Sequence, residues 1–352
     1  MSVWSLEELM NEINLSCPSC RHSDFNIIEQ NLACGNCGAK YANLDGILAF
    51  ALDPDGLKRE IQAFWGDLYK QLYNDFEQQL SHMSAAELES LLDEFVPMLE
   101  HMEHLPVTEI DLAAIKGKKI LEVGCGAGAH SALFKRHGAK VVPLDITVDR
   151  VISAQRKLKL VRQGYGCAIQ GDAENLPFED NSFDIVYSFG VLHHTENTEK
   201  AIGELHRVLK PGGQAAVMLY AKSSYVYLFN QLLVQGILRG NYARNGRWLG
   251  KVSEGKPKHS DVYNPITRVY SKSEMFHLFD RFHSLKLRKS AFNFSQISLI
   301  GRYLPKLLVK LGICKESRAG VLVWDGPLRL ETRLELILGH YIGFGWNITG
   351  RK

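Results

Sequence analysis

Four cysteines near the start of the chain are spaced as ligands of a single metal ion. The segment reads CPSC, then thirteen residues, then CGNC, which places Cys17, Cys20, Cys34 and Cys37 in two Cys-x-x-Cys pairs. Two residues between thiolates let one tight turn direct both sulfurs at one ion, and two such turns complete a tetrahedral sulfur site that suits zinc. Because all four ligands are cysteines, no coordination position stays open, and we expect the zinc to be structural rather than catalytic.

A second cluster combines glycines with acidic side chains. The run EVGCGAG places Glu122 ahead of Gly124, Gly126 and Gly128, and Asp145 closes the next apolar run. Glycines permit a tight turn from strand to helix and a close approach of the backbone to a ligand. With Ala129 the run also fits the Gly-x-Gly-x-x-Ala pattern of nicotinamide enzymes, so the loop alone indicates a nucleotide-like cofactor without choosing a class.

The elements that must position these residues follow from the hydrophobic pattern. From Lys118 onward, short apolar runs such as KKILEVG, AKVVPLD and FDIVYSF alternate with helical segments. Strands that alternate with helices predict a doubly wound α/β fold whose mostly parallel sheet is covered on both faces. Ligands of such sheets bind at the carboxyl ends of the strands, where the glycine loop and Asp145 are placed.

Downstream segments decide the cofactor class. GDAENLPFEDNSFDIV, VLHHTENTEKAIGELHRVLKPGG and NPITRVYS follow in that order. Together with Glu122 two positions before the first glycine, they resemble the class I S-adenosylmethionine-dependent methyltransferase superfamily, in the branch that includes quinone-biosynthesis methylases. The resemblance covers roughly residues 60–352 and is most specific over 118–220. It implies a seven-stranded sheet, S-adenosylmethionine as cofactor and methyl transfer as the reaction.

The resemblance also assigns cofactor-binding residues. Glu122 and the glycine loop would hold the methionine end, Asp145 both ribose hydroxyls, and Asp172 the adenine amino group. The full set expected at the cofactor is Glu122, Gly124, Gly126, Gly128, Asp145, Ile146, Asp172, Ala173 and Ser188. Ala173 would contribute its backbone N–H.

The sequence says less about the residues that would contact the methyl acceptor. His193 and His194 follow the fourth strand, and we expect His194, or else His193, to serve as base if the acceptor keeps its proton, since imidazole titrates near neutrality. Residues expected to face the acceptor are Trp65, Tyr263, Asn264 and Arg268.

The pattern divides the chain into three parts. We expect a zinc ribbon over 1–50, a helical connector over 51–115 that covers the cofactor site, and the methyltransferase domain over 116–352. Within that domain we expect an acceptor lid around 221–270 and a basic insert around 295–320. With Tyr41, Gly46 and Ile47 behind its second cysteine pair, the ribbon resembles those of some rRNA guanine methyltransferases and of a small zinc-ribbon activator subunit.

Charge is distributed unevenly. Residues 1–110 hold 5 basic and 19 acidic residues, whereas 221–352 hold 22 basic and 8 acidic ones, although the net charge is only +2. The two regions either pack against each other, or the basic third meets an anionic acceptor, a nucleic acid or a membrane surface. The apolar runs in the lid favour a small or lipid-like metabolite, an anionic one included, and peripheral membrane contact.

Two other functions stay open. An RNA methyltransferase would use the ribbon and a cluster of aromatic and arginine residues, Tyr225, Tyr227, Tyr242, Trp248, Arg239, Arg244 and Arg247, to stack bases. Residues 11–50 hold only Arg21 and Lys40 against four acids, which weighs against RNA at the ribbon. The second is a binding or scaffold protein that keeps the fold without activity, and the intact set Glu122, Asp145 and Asp172 weighs against it. Oligomeric state is not indicated. Without a long apolar run or a basic, apolar leader, we expect a cytoplasmic protein.

Overall fold

The computed structural model describes residues 10, 12–72, 78–80, 82–244, 246–254, 262–297, 300–323 and 326–352. Parts of the expected ribbon, connector, lid and basic insert therefore lie outside the described residues. The strands are β1 Phe25–Ile28, β2 Asn31–Cys34, β3 Lys40–Leu44, β4 Ile47–Ala49, β5 Lys119–Val123, β6 Lys140–Asp145, β7 Tyr165–Gly166, β8 Ile169–Gln170, β9 Phe183–Phe189, β10 Leu209–Tyr220, β11 His283–Ser290, β12 Glu316–Ser317, β13 Leu328–Arg329 and β14 Gly345–Arg351.

The α-helices are α1 Gly56–Leu72, α2 Ala85–His101, α3 Leu105–Thr108, α4 Ala129–Arg136, α5 Val148–Leu160, α6 Thr198–Val208, α7 Asn241–Arg244, α8 Trp248–Ser253, α9 Lys272–Leu278, α10 Leu304–Lys310 and α11 Arg333–Ile342. A π-helix spans Val226–Leu238, and shorter 3₁₀ segments include Leu192–His194 and Phe294–Gln296. In the part of the chain that the structure describes, no helix has both the length and the apolar run needed to cross a bilayer.

Seven strands form the central sheet in the order β8-β6-β5-β9-β10-β14-β11. The neighbours from β8 to β10 are parallel, whereas β14 runs antiparallel to both β10 and β11. The parallel strands are apolar on both faces, as helices on either side require: Ile120, Leu121 and Val123 of β5 are all fully buried. This arrangement confirms the predicted doubly wound, mostly parallel seven-stranded fold.

The cysteine-bearing strands extend this sheet. β4 pairs in parallel with β8 through Leu48 and Ala49, so β1 to β4 continue the sheet beyond its expected edge. The guanidinium of Arg21 lies 3.1 Å from Glu204 and also donates to the carbonyl of Leu176 at 3.0 Å. The ribbon is therefore packed against the neighbouring α/β domain, at the opposite end of the sheet from β11. The expected division at residues 50 and 115 stays a prediction.

Helices of the connector lie where the periodicity predicts them. α2 begins at a capping box in which Ser84 and Glu87 bond each other's backbone N–H groups. Its apolar stripe, including Leu92 and Phe95, packs against Leu133 of α4. α1 lies across the carboxyl ends of the strands, with Phe64 fully buried and Trp65 beside the glycine loop.

Candidate active site

The loop after β5 is fixed by three glycines. Gly124, Gly126 and Gly128 have φ angles of 74°, 50° and 76°, in the left-handed region that side chains disfavour. A Cβ on Gly124 would come within 2.2 Å of Val191, and one on Gly128 within 2.6 Å of Ala154. The loop therefore brings bare backbone to the edge of the sheet, where a ligand can approach it closely.

Asp145 ends β6 directly beside this loop. The backbone N–H of Gly126 donates to its Oδ2 at 2.9 Å, and the backbone N–H and hydroxyl of Thr147 both donate to its Oδ1 at 2.9 Å. Burial raises the pKa of Asp145, and these hydrogen bonds oppose that rise. A carboxylate has about four lone-pair sites, so Oδ2 keeps one acceptor site for a ligand hydroxyl. A second becomes free if the Thr147 hydroxyl turns away.

Glu122 lies on the other side of the loop and is almost fully buried. It accepts a hydrogen bond from the Ser131 hydroxyl, and its Oε1 lies 3.5 Å from Nδ1 of His130. Glu122 lines the larger of two cavities at this edge of the sheet.

The smaller cavity, of about 70 Å³, brings together most of the predicted cofactor set. Its wall contains Gly124, Asp145, Ile146, Asp172 and Ala173. Ser188 is placed elsewhere: it is fully buried and its hydroxyl donates to the carbonyl of Val123 at 2.9 Å, which ties β9 to β5. Its expected role at the cofactor stays a prediction that this placement does not favour.

Asp172 has a partner that the sequence did not reveal. Lys58 of α1 forms an ion pair with it and lies 3.4 Å from Glu174. The backbone N–H of Glu174 donates to the other oxygen of Asp172 at 2.9 Å. Lys58, Ile61 and Trp65 of α1 all enter the wall of the small cavity. The cavity is well below the usual size of ligand pockets, about 300–1,000 Å³, because α1 fills part of it.

The larger cavity has a volume of about 480 Å³ and is mainly apolar. Its apolar wall includes Phe189, Met218, Phe292, Leu322, Leu328 and Leu336. Its charged wall holds five carboxyl groups and one arginine, namely Glu103, Glu122, Glu254, Glu331, Glu335 and Arg150. This lining does not favour the anionic acceptor that the net charge of the C-terminal third suggested.

The two cavities meet. Both are lined by Trp65, Tyr69, Gly124, Gly190 and Val191. Trp65, predicted to face the acceptor, therefore lies at the boundary between the small recess that contains Asp145 and Asp172 and the larger chamber. A donor in one cavity and an acceptor in the other would have their reacting ends at this boundary, which positions them for transfer.

A carboxyl group, a histidine and a tyrosine surround the boundary. His194 Nε2 lies 3.6 Å from Oε1 of Glu254, and the Tyr220 hydroxyl donates to the same oxygen at 3.0 Å. Burial raises the pKa of Glu254 to about 6, against the effect of the Tyr220 hydrogen bond. Burial lowers the pKa of His194 to about 4, so its ring is neutral at pH 7. Of Glu254, His193 and His194, Glu254 therefore has the pKa closest to neutral pH.

Three neighbouring polar groups surround Nδ1 of His194. Its Nδ1 lies 3.1 Å from the carbonyl of Ile266 and 3.1 Å from the hydroxyl of Thr267. Asn264, predicted to face the acceptor, is buried and lies 3.0 Å from the same Nδ1. It therefore positions His194 instead of lining either cavity.

The remaining predicted residues brace the loop after β9. His193 is fully buried and stacks on Tyr220 with ring centroids 3.7 Å apart. Burial and the neighbouring His194 lower its pKa well below the ordinary value. Arg268 donates to the carbonyls of Thr195 and Glu196 at 2.6 and 2.7 Å. Tyr263 lies under the ammonium of Lys251, 4.8 Å from its ring centroid, and lines neither cavity.

Glu331 is a further carboxyl group in the wall of the large cavity. Among the described residues, its Oε2 is buried without a hydrogen-bond partner. Burial raises its pKa to about 7. A buried acceptor atom without a donor is costly, so a turn of this side chain toward an O–H or N–H group of a ligand in the cavity would be favourable.

The four ribbon cysteines converge as their spacing predicts. Their sulfur atoms all lie within 4.8 Å of one another, with Cys17 and Cys37 3.6 Å apart and Cys20 and Cys34 3.5 Å apart. Four sulfurs bonded to one zinc ion at about 2.3 Å in a tetrahedron lie ~3.8 Å from each other. The donor set and its spacing fit a structural zinc.

Some members of the proposed base-stacking cluster contact other parts of the chain, whereas Arg239, Tyr242, Arg244 and Arg247 are exposed. Trp248 is buried, Tyr225 stacks on Phe229, and Arg247 pairs with Glu60 at 2.8 Å. Tyr242 is exposed, with Trp248 in edge contact. Arg21, one of the two basic residues of the ribbon, contacts Glu204 as described above.

Several site residues escaped sequence reasoning. Glu254 and Glu331 lie in no recognisable motif, and only the folding of α8 and of the segment before α11 brings them to the cavity. Gly190 could have been found, because it directly follows the strand FDIVYSF at a carboxyl end. Lys58 gave no signal beyond its position on an amphipathic helix.

Part of this chain is similar to known methyltransferases. Residues 121–217 match the family described as a methyltransferase domain. The chain is 34% identical over 167 residues to the ubiquinone/menaquinone biosynthesis C-methyltransferase of Haemophilus ducreyi, which covers 44% of this chain and 64% of the relative. It is 36% identical over 115 residues to a phthiotriol/phenolphthiotriol dimycocerosates methyltransferase of Mycobacterium ulcerans, covering 32% of this chain and 40% of the relative. The chain thus spans less than two thirds of these relatives.

Among solved structures, an S-adenosylmethionine-dependent methyltransferase of Thermotoga maritima aligns with a TM-score of 0.44 at 17% identity, covering 82% of this chain and 99% of that one.

Proposed function

We propose, from the premise that this chain belongs to the class I S-adenosylmethionine-dependent methyltransferases, that it methylates a small or lipid-like acceptor with an apolar body. The observation that carries the proposal is the pair of cavities that share Trp65, Tyr69 and Gly124. One is lined by the acidic residues that suit a nucleoside, and the other is an apolar chamber. Relatives named for methylating quinones and lipids support the choice of acceptor class.

The residues present fit the cofactor. Asp145 keeps a free lone pair beside a glycine loop whose backbone is bare, and Asp172 lies across the same small cavity. Asp145 would hold the ribose and Asp172 the adenine amino group, while Glu122 would face the methionine end. When bound, S-adenosylmethionine supplies a methyl group on a positively charged sulfur and so carries its own leaving group.

The chain must then hold the acceptor and manage its proton. The apolar wall would exclude water and hold the body of the acceptor by burial. Oε2 of Glu331 would accept a hydrogen bond from a hydroxyl or amine of the acceptor. Because the wall is rich in carboxyl groups, we propose a neutral acceptor that carries such a donor rather than an anionic one.

We propose that Glu254 takes the acceptor's proton. Its carboxylate lies at the boundary of the cavities, and a pKa near the working pH favours general base catalysis. His194 would be the weaker base of the two, since burial lowers its pKa to about 4. Tyr220 donates to Glu254 and stabilises the ionised form.

We propose further that Cys17, Cys20, Cys34 and Cys37 bind one structural zinc ion. The zinc would contribute on the order of 10 kcal/mol to folding a segment too small for a large core of its own. RNA as acceptor is the other hypothesis, but no cavity observation favours it.

Transfer of a radiolabelled methyl group tests the proposal. The protein is incubated with methyl-labelled S-adenosylmethionine and either a total lipid extract or total cellular RNA, and label is counted in the organic phase and in the RNA. We expect label in the organic phase, lost in Asp145→Ala, because the donor no longer binds well. Label confined to RNA would overturn the proposed acceptor class.

A further inference from the structure

Exposed apolar side chains are numerous on the π-helix, which contacts Gln296 in the wall of the large cavity. Residues 224–238 contain no charged residue. The exposed side chains of this helix, 40–72% accessible, are Leu228, Phe229, Leu233, Ile237 and Leu238. Single exposed apolar residues are ordinary, but a contiguous set on one helix marks an interaction surface.

α10 and its flanks carry two parallel stripes. Arg302, Lys306 and Lys310 recur every fourth residue and are all exposed. The next position in each case, Tyr303, Leu307 and Leu311, is also exposed, by 48–69%. Residues four apart lie on one side of a helix, so a basic stripe runs beside an apolar stripe on the outer surface.

A third segment completes the surface. Leu334, Ile337 and Tyr341 of α11 are 55–73% exposed at helical spacing. The side chain of Asn230 in the π-helix donates to the carbonyl of Gln296 at 2.7 Å, and the N–H of Phe294 donates to Glu335 of α11 at 2.6 Å.

The segment 294–296 thus links the π-helix to α11, and the chain continues from it into α10. Phe292, Gln296 and Leu336 from these segments line the large cavity. The exposed apolar residues therefore lie on segments that contact or line the wall of that cavity. We call the exposed residues of the π-helix, α10 with its flanks and α11 the rim surface.

We propose that the rim surface docks on membranes that contain anionic lipids. Apolar side chains beside lysines and arginines are the pattern of segments that lie in the lipid interface, with the apolar groups in the headgroup boundary and the cations on lipid phosphates. Because anionic lipid headgroups complement the basic stripe of α10, the partner that fits this surface is a lipid membrane. An acceptor with an apolar body would then enter the large cavity without crossing bulk water. This consequence rests on the proposed function, whereas the docking itself does not.

Vesicle sedimentation tests the docking. The full-length protein with its zinc is mixed with phosphatidylcholine vesicles, with or without phosphatidylglycerol, in the absence of cofactor and acceptor. We expect binding to vesicles with phosphatidylglycerol, weakened by salt. Leu307→Ser with Leu311→Ser, and Ile337→Ser with Tyr341→Ser, should each weaken binding about tenfold or more. Lys306→Glu with Lys310→Glu should remove the preference for phosphatidylglycerol.

The ribbon supplies the matched control. Ile27 and Ile28 of β1 are 41% and 50% exposed at the opposite end of the sheet. Ile27→Ser with Ile28→Ser should bind vesicles as the wild type does. Equal binding by all variants, or no binding by the wild type, would overturn the proposal. So would a dimer in light scattering that the rim substitutions dissociate without lipid, because the surface would then serve a second copy.

Affinity for S-adenosylmethionine, measured by calorimetry on each variant, shows whether the variants keep their fold. A protein that binds vesicles but transfers no methyl group would contradict the proposed function and leave the docking intact.

Discussion

At the scale of single residues, Glu254 decides how the reaction depends on pH. Its pKa of about 6 lies above the ordinary value for a glutamate because burial penalises the charged form. A base acts when deprotonated, so kcat/KM should rise with pH up to about 6 and stay level above it. Glu254→Gln should lose this dependence and lower the rate by about a hundredfold or more. A pH profile of methyl transfer checks both.

The Tyr220 hydroxyl gives an independent test of the same carboxyl group. Its hydrogen bond lowers the pKa of Glu254, so Tyr220→Phe should raise that pKa and move the midpoint of the profile to higher pH. An unchanged midpoint, together with full activity of Glu254→Gln, would show that Glu254 is not the base.

Which of these residues sequence could predict depends on local chemistry. Asp145 and the four cysteines have roles that follow from immediate neighbours, namely a strand end and two tight turns. Glu254 and Glu331 have roles that arise from burial against segments far away in the chain. No local pattern encodes that burial, so the sequence points to His194 as a base and gives no reason to consider either carboxyl group.

At the scale of elements, α1 acts as a cover whose side chains occupy part of the cofactor recess. The ion pair between Lys58 and Asp172 competes with an adenine amino group for the same carboxylate. Lys58→Met should therefore strengthen binding of S-adenosylmethionine by roughly two- to fivefold, the effect expected of a partly exposed ion pair.

Calorimetry on Lys58→Met checks this expectation, with Arg59→Met as control. Arg59 is exposed, and within the described ranges its ion pairs are with aspartates of the same segment, at 3.0 and 3.6 Å, so its replacement should not change the affinity. Weaker binding by Lys58→Met would instead mean that Lys58 holds Asp172 in place for the cofactor.

The ribbon is joined to the cofactor recess by two glutamines. The side chains of Gln62 and Gln170 both donate to the carbonyl of Ala51, which closely follows the last strand of the ribbon. Both also donate to the carbonyl of Ile146, the residue next to Asp145. Removing the metal should therefore lower the melting temperature and also weaken binding of S-adenosylmethionine. Elemental analysis, thermal melts and calorimetry before and after chelation measure these effects.

Two variants separate metal binding from this link. Cys34→Ser should lose zinc, whereas Gln170→Leu should keep zinc and still bind S-adenosylmethionine more weakly. A zinc content near zero in protein purified without chelator, or unchanged affinity after metal removal, would contradict the account of the ribbon.

Element types were largely predictable because their hydrophobic periods are strong. β5, β6, β9 and β10 are short apolar runs, and α6 places Ala201, Leu205 and Val208 on one buried stripe. The parallel pairing of β4 with β8 was not predicted, because two-residue contacts between short strands leave no period in the sequence.

At the scale of the whole molecule, the uneven charge has a structural explanation in part. Basic side chains of the C-terminal third pair with acids of the N-terminal third: Arg288 with Glu109 at 2.9 Å, and Arg318 with Glu94. The two regions therefore pack against each other, as one of the two interpretations held. The basic stripe of α10 remains on the surface, where it contributes to the rim surface.

The central claim is that the edge of the sheet around Asp145 binds S-adenosylmethionine, and one calorimetric titration tests it most directly. We expect the wild type to bind one molecule per chain, and Asp145→Asn to bind about 10- to 100-fold more weakly, since hydrogen bonds to a charged group contribute about 1–3 kcal/mol. Asp149→Asn is the matched control, because Asp149 is half-exposed and its ion pair among the described residues is with Lys70, at 3.3 Å. Equal affinity of Asp145→Asn and wild type, or tight binding of a nicotinamide cofactor instead, would contradict the account.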